Sequence, residues 1–316
     1  MPERVAVAPA GALAVHEGEP VHRPDGIDAS MAGEKTAAAV AAQPAWLAQV
    51  PSDRRLPPGA RVAYTGCGTS FHAAQTGGAS VQALEAVLAP PEADVLVCVS
   101  HEGSTRLTLE AARAFRGRTW LVTGPAASPL AEACDEVVVA TPALEESYCH
   151  TASYTCAVAA LAALRGEDVA WLPGAVEEAL RQDVGGPPSG RAVVVGAGRD
   201  WPTAQEAALK LREGAHLPVE AHHTEQLLHG HLAAIDETVR AYVLEGVGRA
   251  AERARDAVRA LEALGCEPTL LPTRHPDVDI VFFQLLTLKA AGARGVDPDL
   301  IRWDEPRWRA ARDSYS

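Results

Sequence analysis

The chain has 316 residues, 47% of them hydrophobic, and 28 Lys and Arg stand against 41 Asp and Glu for a formal net charge of −13. That length allows two domains with real cores, or one large one. No apolar run approaches the ~20 residues that span a bilayer. No basic run supplies the clustered cations a nucleic-acid surface needs, so neither membrane nor nucleic acid is an expected partner and a soluble, cytoplasmic protein is.

Residues 1–30 lack the basic and apolar segments of a signal peptide and read as an arm or a pairing strand. From there the chain alternates apolar strand, glycine turn and helix. Arg61–Thr65 is a strand broken by Gly66-Cys67-Gly68, with a helix from about Ser70. Asp94–Val99 is a second strand, followed by Ser100-His101-Glu102-Gly103-Ser104-Thr105 and a helix through Arg116. Thr119–Thr123 and Glu136–Ala140 are a third and a fourth. Short β-rich runs alternating with helices predict a parallel, doubly wound α/β sheet.

Gly185–Gly190 is a linker by composition, and the pattern then restarts with strand Arg191–Val195, Gly196-Ala197-Gly198 and a helix to about Gly214. The restart predicts two similar domains, 31–184 and 185–316. Arg240–Leu244 and Asp279–Phe283 fit later strands or buried helix starts.

The turn Gly66, Cys67, Gly68, Thr69, Ser70 joins a strand to a helix, where backbone N–H groups can hold an anion. It is no dinucleotide fingerprint, because Phe71 stands where the third glycine belongs, and nothing else calls for a cofactor. Ser100–Thr105 holds the equivalent place after the next strand. Two such loops at neighbouring strand ends make a ligand crevice; helix capping by Ser100 or Ser104 is the plainer alternative. Glu206, Lys210 and Glu213 share one helix face, and spacing alone favours a solvated salt-bridge stripe. His216, His222, His223, His229 and His231 follow, without the spacing of a zinc motif, so no metal site is expected. The six cysteines form no C-x-x-C pair and read as reduced, mostly buried thiols.

These pieces resemble the sugar isomerase (SIS) family. Glu206-Ala-Ala-Leu-Lys-Leu-Arg-Glu213, followed by His229-Gly-His-Leu-Ala-Ala-Ile-Asp236, is similar to EGALKLKE…HGPLALID of the isomerase part of glucosamine-6-phosphate synthases. Cys67–Ser70 matches their CGTS loop, and Ser100–Thr105 takes the place of an S-Q-S-G-x-T loop. Glu145–Thr155 resembles a segment of the ketosamine-6-phosphate isomerase/deaminase branch, and Glu34 with Gln43-Pro44 a leading helix.

The resemblance implies two tandem SIS domains, each a flavodoxin-like parallel sheet flanked by helices, and a small-molecule sugar ligand bound by a homodimer. It makes Glu213 the base that moves a proton between C1 and C2 through an enediol. It makes His229 the ring-opening group, given by the neighbouring chain, with Lys210 and Glu206 supporting them. Both loops, Glu145, Thr151 and Arg312 would bind substrate. The residue types suit the chemistry: a partly buried carboxylate for carbon-to-carbon proton transfer, and histidine, which titrates near neutrality, for ring opening.

Two departures stand out. The tail offers Ala311 or Arg312 where the synthases carry a Schiff-base lysine, and no glutaminase segment is present. Glu102 replaces a phosphate-loop hydroxyl; a carboxylate ~4 Å from a phosphate repels it by roughly 4 kcal/mol per charge pair at an effective dielectric near 20, which a protonated His101 would offset. The expectation is therefore an aldose–ketose isomerase of a modified or non-standard sugar. The alternatives are an amino-sugar deglycase or deaminase of the same fold, and a non-catalytic sugar-binding regulator.

Overall fold

The computed structural model describes residues 32–315, so the arm expected over residues 1–30 lies outside the described residues. The strands are short, and most are apolar runs rich in valine. β1 (Val62–Gly66), β2 (Ser80–Gln82), β3 (Val95–Val99), β4 (Arg118–Thr123) and β5 (Glu136–Val139) form one sheet in the order β2-β1-β3-β4-β5, every pairing parallel. β6 (Ala192–Gly196), β7 (Val219–His223), β8 (Arg240–Leu244) and β9 (Thr269–Leu271) form a second parallel sheet in the order β7-β6-β8-β9. The first order is that of flavodoxin-like folds, and the second repeats it one strand short. In each, the order reverses beside the first strand, which is where α/β sheets open a crevice for ligands.

Alternation along the strands decides what each face covers. Val95, Val97 and Val99 of β3 and Val194 of β6 belong to one core that runs between the sheets. Leu96 and Cys98 face outward into a smaller cluster, and Val193 and Val195 into another. The shared core is filled by helices α1 (Glu34–Leu47), α2 (Thr69–Thr76), α6 (Ala152–Leu164), α7 (Leu172–Ala179), α8 (Trp201–Ala215) and α11 (Pro276–Arg294). All residues of α6 are buried, so it serves as an axle between the sheets. The shorter α3 (Ala83–Leu88), α4 (Arg106–Ala114), α5 (Pro129–Ala133), α9 (Thr224–Leu228), α10 (Arg249–Ala263) and the C-terminal α12 (Pro306–Asp313) complete the chain.

Asp279–Phe283, open between strand and helix in the sequence, lies inside α11. Strands β2, β7 and β9 escaped the sequence reading. β2 and β9 are three residues each, and β7 carries Glu220, His222 and His223 rather than an apolar run. The free cysteines follow expectation: Cys98, Cys149, Cys156 and Cys266 are buried and Cys67 and Cys134 partly so. No helix among the described residues is long and apolar enough to cross a membrane.

Candidate active site

The turn between β1 and α2 is built from glycine for steric reasons. A Cβ on Gly66 would lie 2.8 Å from the carbonyl carbon of Ser70, and Gly68 holds φ at +54°. This folding-back delivers Thr69 and His72, one turn apart on α2, to the buried face of α8. There Glu206 and Lys210 are each 0% exposed. Thr69 Oγ1 donates to Glu206 Oε1 at 3.2 Å, and Lys210 Nζ donates to Thr69 Oγ1 at 3.1 Å and to Glu213 Oε2 at 2.7 Å. Lys210 Nζ also lies 3.4 Å from Glu206 Oε1, and His72 Nδ1 lies 2.7 Å from Glu206 Oε2.

The solvated stripe that spacing favoured is therefore an interior ion network, completed by residues from the other half of the chain. Burial opposes the charge on Lys210, but Glu206 and Glu213 outweigh it and hold the ammonium above the ordinary lysine range. Burial likewise penalises Glu206, yet Lys210 and His72 hold its carboxyl below its usual value. Glu213 sits at the network's open end with its side chain 26% exposed. It lines an open surface cleft of about 470 Å³ together with His216, Arg302, Trp308 and Arg312. Arg312 donates to the Ile301 carbonyl at 2.7 Å and stacks over Trp303.

A second, small cavity opens at the strand ends of the first sheet, between the two loops and the start of α6. Thr69, Ser70 and His101 line it as the sequence suggested. So do Thr141, His150 and Ser153, to which the sequence reading gave no role. His150 and Ser153 stood inside the Glu145–Thr155 segment that drew attention as a whole. His72, likewise missed, is legible only as one helical turn beyond Thr69. In the second loop Ser100 Oγ and Thr105 Oγ1 bond each other at 3.0 Å. Glu102 is exposed, and its Oε2 accepts from Ser104 Oγ at 3.4 Å.

The offsetting cation imagined at His101 is not there. Its Nε2 accepts the Glu145 N–H at 3.0 Å, and burial pushes the imidazole below its ordinary value, so the ring is neutral. His150 packs edge-on against it at 5.2 Å between centroids and is pushed down to about 4 by burial. Glu145 spends its carboxylate on the chain. It accepts from Thr151 N, Thr151 Oγ1 and Ser153 N at 2.7, 2.9 and 2.8 Å, satisfying the first turn of α6.

His229 is not brought to Glu213 within the chain. Its side chain is 76% exposed, with Nε2 3.2 Å from Glu225 Oε2. The other histidines of that stretch pair off, His222 stacking on His231 and His223 on Trp201. Among the described residues no group of three His, Cys, Asp or Glu side chains is placed to hold a metal ion.

With this geometry in hand, comparison with known proteins defines the class. The family model of the SIS domain matches residues 188–284, so the chain carries a SIS domain. It is homologous to the isomerase part of glutamine–fructose-6-phosphate aminotransferases. The isomerizing enzyme of Zymomonas mobilis is 24% identical over 77% of this chain and 51% of its own length. That of Aeropyrum pernix is 28% identical over 77% and 50%. The chain thus spans about half the length of the curated relatives it matches.

Among solved structures, the C-terminal domain of glucosamine–fructose-6-phosphate aminotransferase from Francisella tularensis superposes with a TM-score of 0.70 at 18% identity, covering 84% of this chain and 97% of that one. Glucosamine-6-phosphate deaminase from Thermotoga maritima gives 0.68 at 20% over 84% and 97%. Tagatose-6-phosphate ketose/aldose isomerase from Escherichia coli gives 0.68 at 18% over 87% and 96%. At such identities the likeness is one of fold.

Proposed function

We propose that this chain is an aldose–ketose isomerase of the SIS type, its two sheets being tandem SIS units, with Glu213 as the base that carries a proton between C1 and C2 of an open-chain sugar. One observation supports this above others: Glu213 is the open, partly exposed end of an otherwise buried Glu206–Lys210–Glu213 network. The Lys210 ammonium fixes the carboxylate's position, leaving its second oxygen for the substrate. Glu213 takes the proton from the carbon beside the carbonyl; the C–H pair forms the C1–C2 double bond as the carbonyl π pair moves to its oxygen, which takes a proton to give the enediol. The other hydroxyl then loses its proton as the new carbonyl forms, and the proton on Glu213 returns to the neighbouring carbon. Lys210, saturated by two carboxylates, is a positioning residue.

His229 opens the sugar ring from a second copy of the chain in a homodimer. Its exposure suits that role, since the side chain lies on the surface and is not brought to Glu213 within its own chain. The pyranose oxygen takes a proton as the anomeric hydroxyl loses one, which suits an imidazole, whose two ring nitrogens can donate and accept. The tail presents an arginine, which forms no imine, and this favours isomerisation over the amine-transfer chemistry named for the full-length relatives.

The test is proton exchange. In deuterium oxide, fructose, tagatose and their 6-phosphates are followed by NMR at C1 and C2. Deuterium wash-in with interconversion of ketose and aldose, lost in Glu213→Gln, is the expected result. Ammonia released from amino sugars would move the assignment to a deaminase, and ligand binding with no exchange would leave a sugar-binding protein.

A further inference from the structure

The cleft at Glu213 is basic in an acidic protein. The chain has a formal net charge of −13, yet the guanidiniums of Arg212, Arg302 and Arg312 line this cleft against the single carboxylate of Glu213. That carboxylate is already bonded to Lys210 at 2.7 Å. A concave surface lined by one sign of charge focuses its field and draws in ligands of the opposite sign.

Two of the guanidiniums are held flat. Arg302 lies over the Trp308 ring at 4.0 Å and Arg312 over the Trp303 ring at 3.9 Å. Stacking takes the face of a guanidinium and leaves its N–H edge, which matches two oxygens of a carboxylate or phosphate. Glu305, the carboxylate paired with Arg302, stands 3.5 Å from its Nε, longer than a charge-assisted hydrogen bond. Arg212 is exposed, and its guanidinium has no hydrogen bond or ion pair to any described residue.

The backbone singles out the same place. Among the described residues three other than glycine hold a positive φ: His216 at +53°, Ile301 at +40° and Arg302 at +65°. All three line this cleft. His216 closes α8 in a left-handed cap, but a β-branched residue in that region is a true outlier. The turn at Ile301 and Arg302 puts the Ile301 carbonyl under Arg312, which donates to it at 2.7 Å. Strained backbone gathers at ligand sites. Both ring nitrogens of His216 are also buried without a hydrogen-bond partner, which leaves polar groups unmet beside the arginines.

We propose that this cleft seats an oxyanion, so that the sugar handled here is an anionic one, a 6-phosphate or a uronate, with its reacting carbons at Glu213 and its phosphate or carboxylate on Arg212, Arg302 and Arg312. The cleft volume of about 470 Å³ is that of a small-molecule site. The family likeness places a substrate phosphate on the Ser100–Thr105 loop, none of whose residues lines this cleft. The proposal rests on the isomerase reading only for the placing of the reacting carbons.

The experiment is calorimetric titration of the full chain with fructose, fructose 6-phosphate, glucuronate and inorganic phosphate, repeated with Arg212→Gln, Arg302→Gln and Thr105→Val. Arg212 is exposed, so its variant should melt with the natural chain. At least one of the anionic sugars should bind tenfold or more tighter than fructose, and the tighter of the two tells phosphate from carboxylate. Each arginine variant should weaken it by about ten- to hundredfold, the worth of a hydrogen bond between charged groups. Added salt should weaken it in the natural chain.

Three results overturn the proposal. The first is anionic sugars that bind no more tightly than fructose. The second is an advantage that survives both arginine variants, whether or not Thr105→Val removes it. The third is inorganic phosphate that binds as tightly as the anionic sugar, which would make the cleft a seat for the free ion. Deuterium exchange on the bound sugar separates this from the isomerase reading. Arginine-dependent binding without exchange keeps the anion seat and removes the isomerase. Exchange indifferent to both arginine variants keeps the isomerase and removes the seat.

Discussion

Lys210 and Glu213 are joined by a 2.7 Å hydrogen bond across one turn of α8, the first wholly buried and the second reaching an open cleft. The pair makes Lys210 structural and positioning at once, because the same ammonium neutralises Glu206 in the interior. Replacing Lys210 with methionine leaves the Glu206 carboxylate buried beside a neutral side chain. Loss of one partner of a buried pair costs about 3–5 kcal/mol. Chemical denaturation should show a loss of that order, and combination with Glu206→Gln should recover a large part of it.

Glu213→Gln should behave differently. The side chain is partly exposed and Lys210 keeps Glu206, so the melting temperature should change little. In the proposed role, exchange at C2 should fall by about 10²–10⁴-fold, the usual worth of a positioned general base. Near-normal exchange in this variant would remove Glu213 as the base.

Gly214, next to Glu213, is a packing glycine. A Cβ there would lie 2.4 Å from Thr287 Cγ2 on α11 and 3.2 Å from Cys149 Sγ. Although alanine is the better helix former, overpacking should dominate, and Gly214→Ala should lose about 1–3 kcal/mol. A simultaneous Thr287→Ser, which removes the clashing methyl, should restore stability. No rescue would mean the crossing of α8 and α11 is not what the glycine serves.

The contribution of Asp277 and Asp279 to stability should fall as pH rises through the weakly acidic range. Asp277 is fully buried at the start of α11, and neither carboxylate oxygen accepts a hydrogen bond. His275 lies 3.4 Å away but is pushed down to about 4 by burial, so it brings no charge. Burial raises Asp277 well above its ordinary value, and burial raises Asp279 to about 7. In that window these two carboxyls hold more protons folded than unfolded, so their contribution to stability declines with pH from near 3.8 up to the raised values. Asp277→Asn should therefore gain on the natural chain as pH climbs from 4 toward 8, read as a widening difference in melting temperature. A difference independent of pH would show that Asp277 does not titrate with folding.

The sequence by itself determined the alternation that makes the sheets. Val95–Val99 and Ala192–Val195 are apolar on both faces, and such runs are stable only when covered on both sides. It also determined the glycine turns and the shared face of Glu206, Lys210 and Glu213, because helix periodicity is local. It could not say whether that face was wet or dry. A row of alternating charges reads the same on a surface as in a core until its partners are known. Those partners, Thr69 and His72, lie more than 130 residues away in the chain and arrive only because α2 packs on α8. The family likeness had singled out Glu213, and the fold supplies the physical ground by burying two of the three charges and leaving the third at the mouth of a cleft. Tertiary structure also set the Glu145 carboxylate against the first turn of α6. It brought Thr141, Ser153 and His150 to the wall of one cavity, an arrangement that depends on how distant segments pack and on no local pattern.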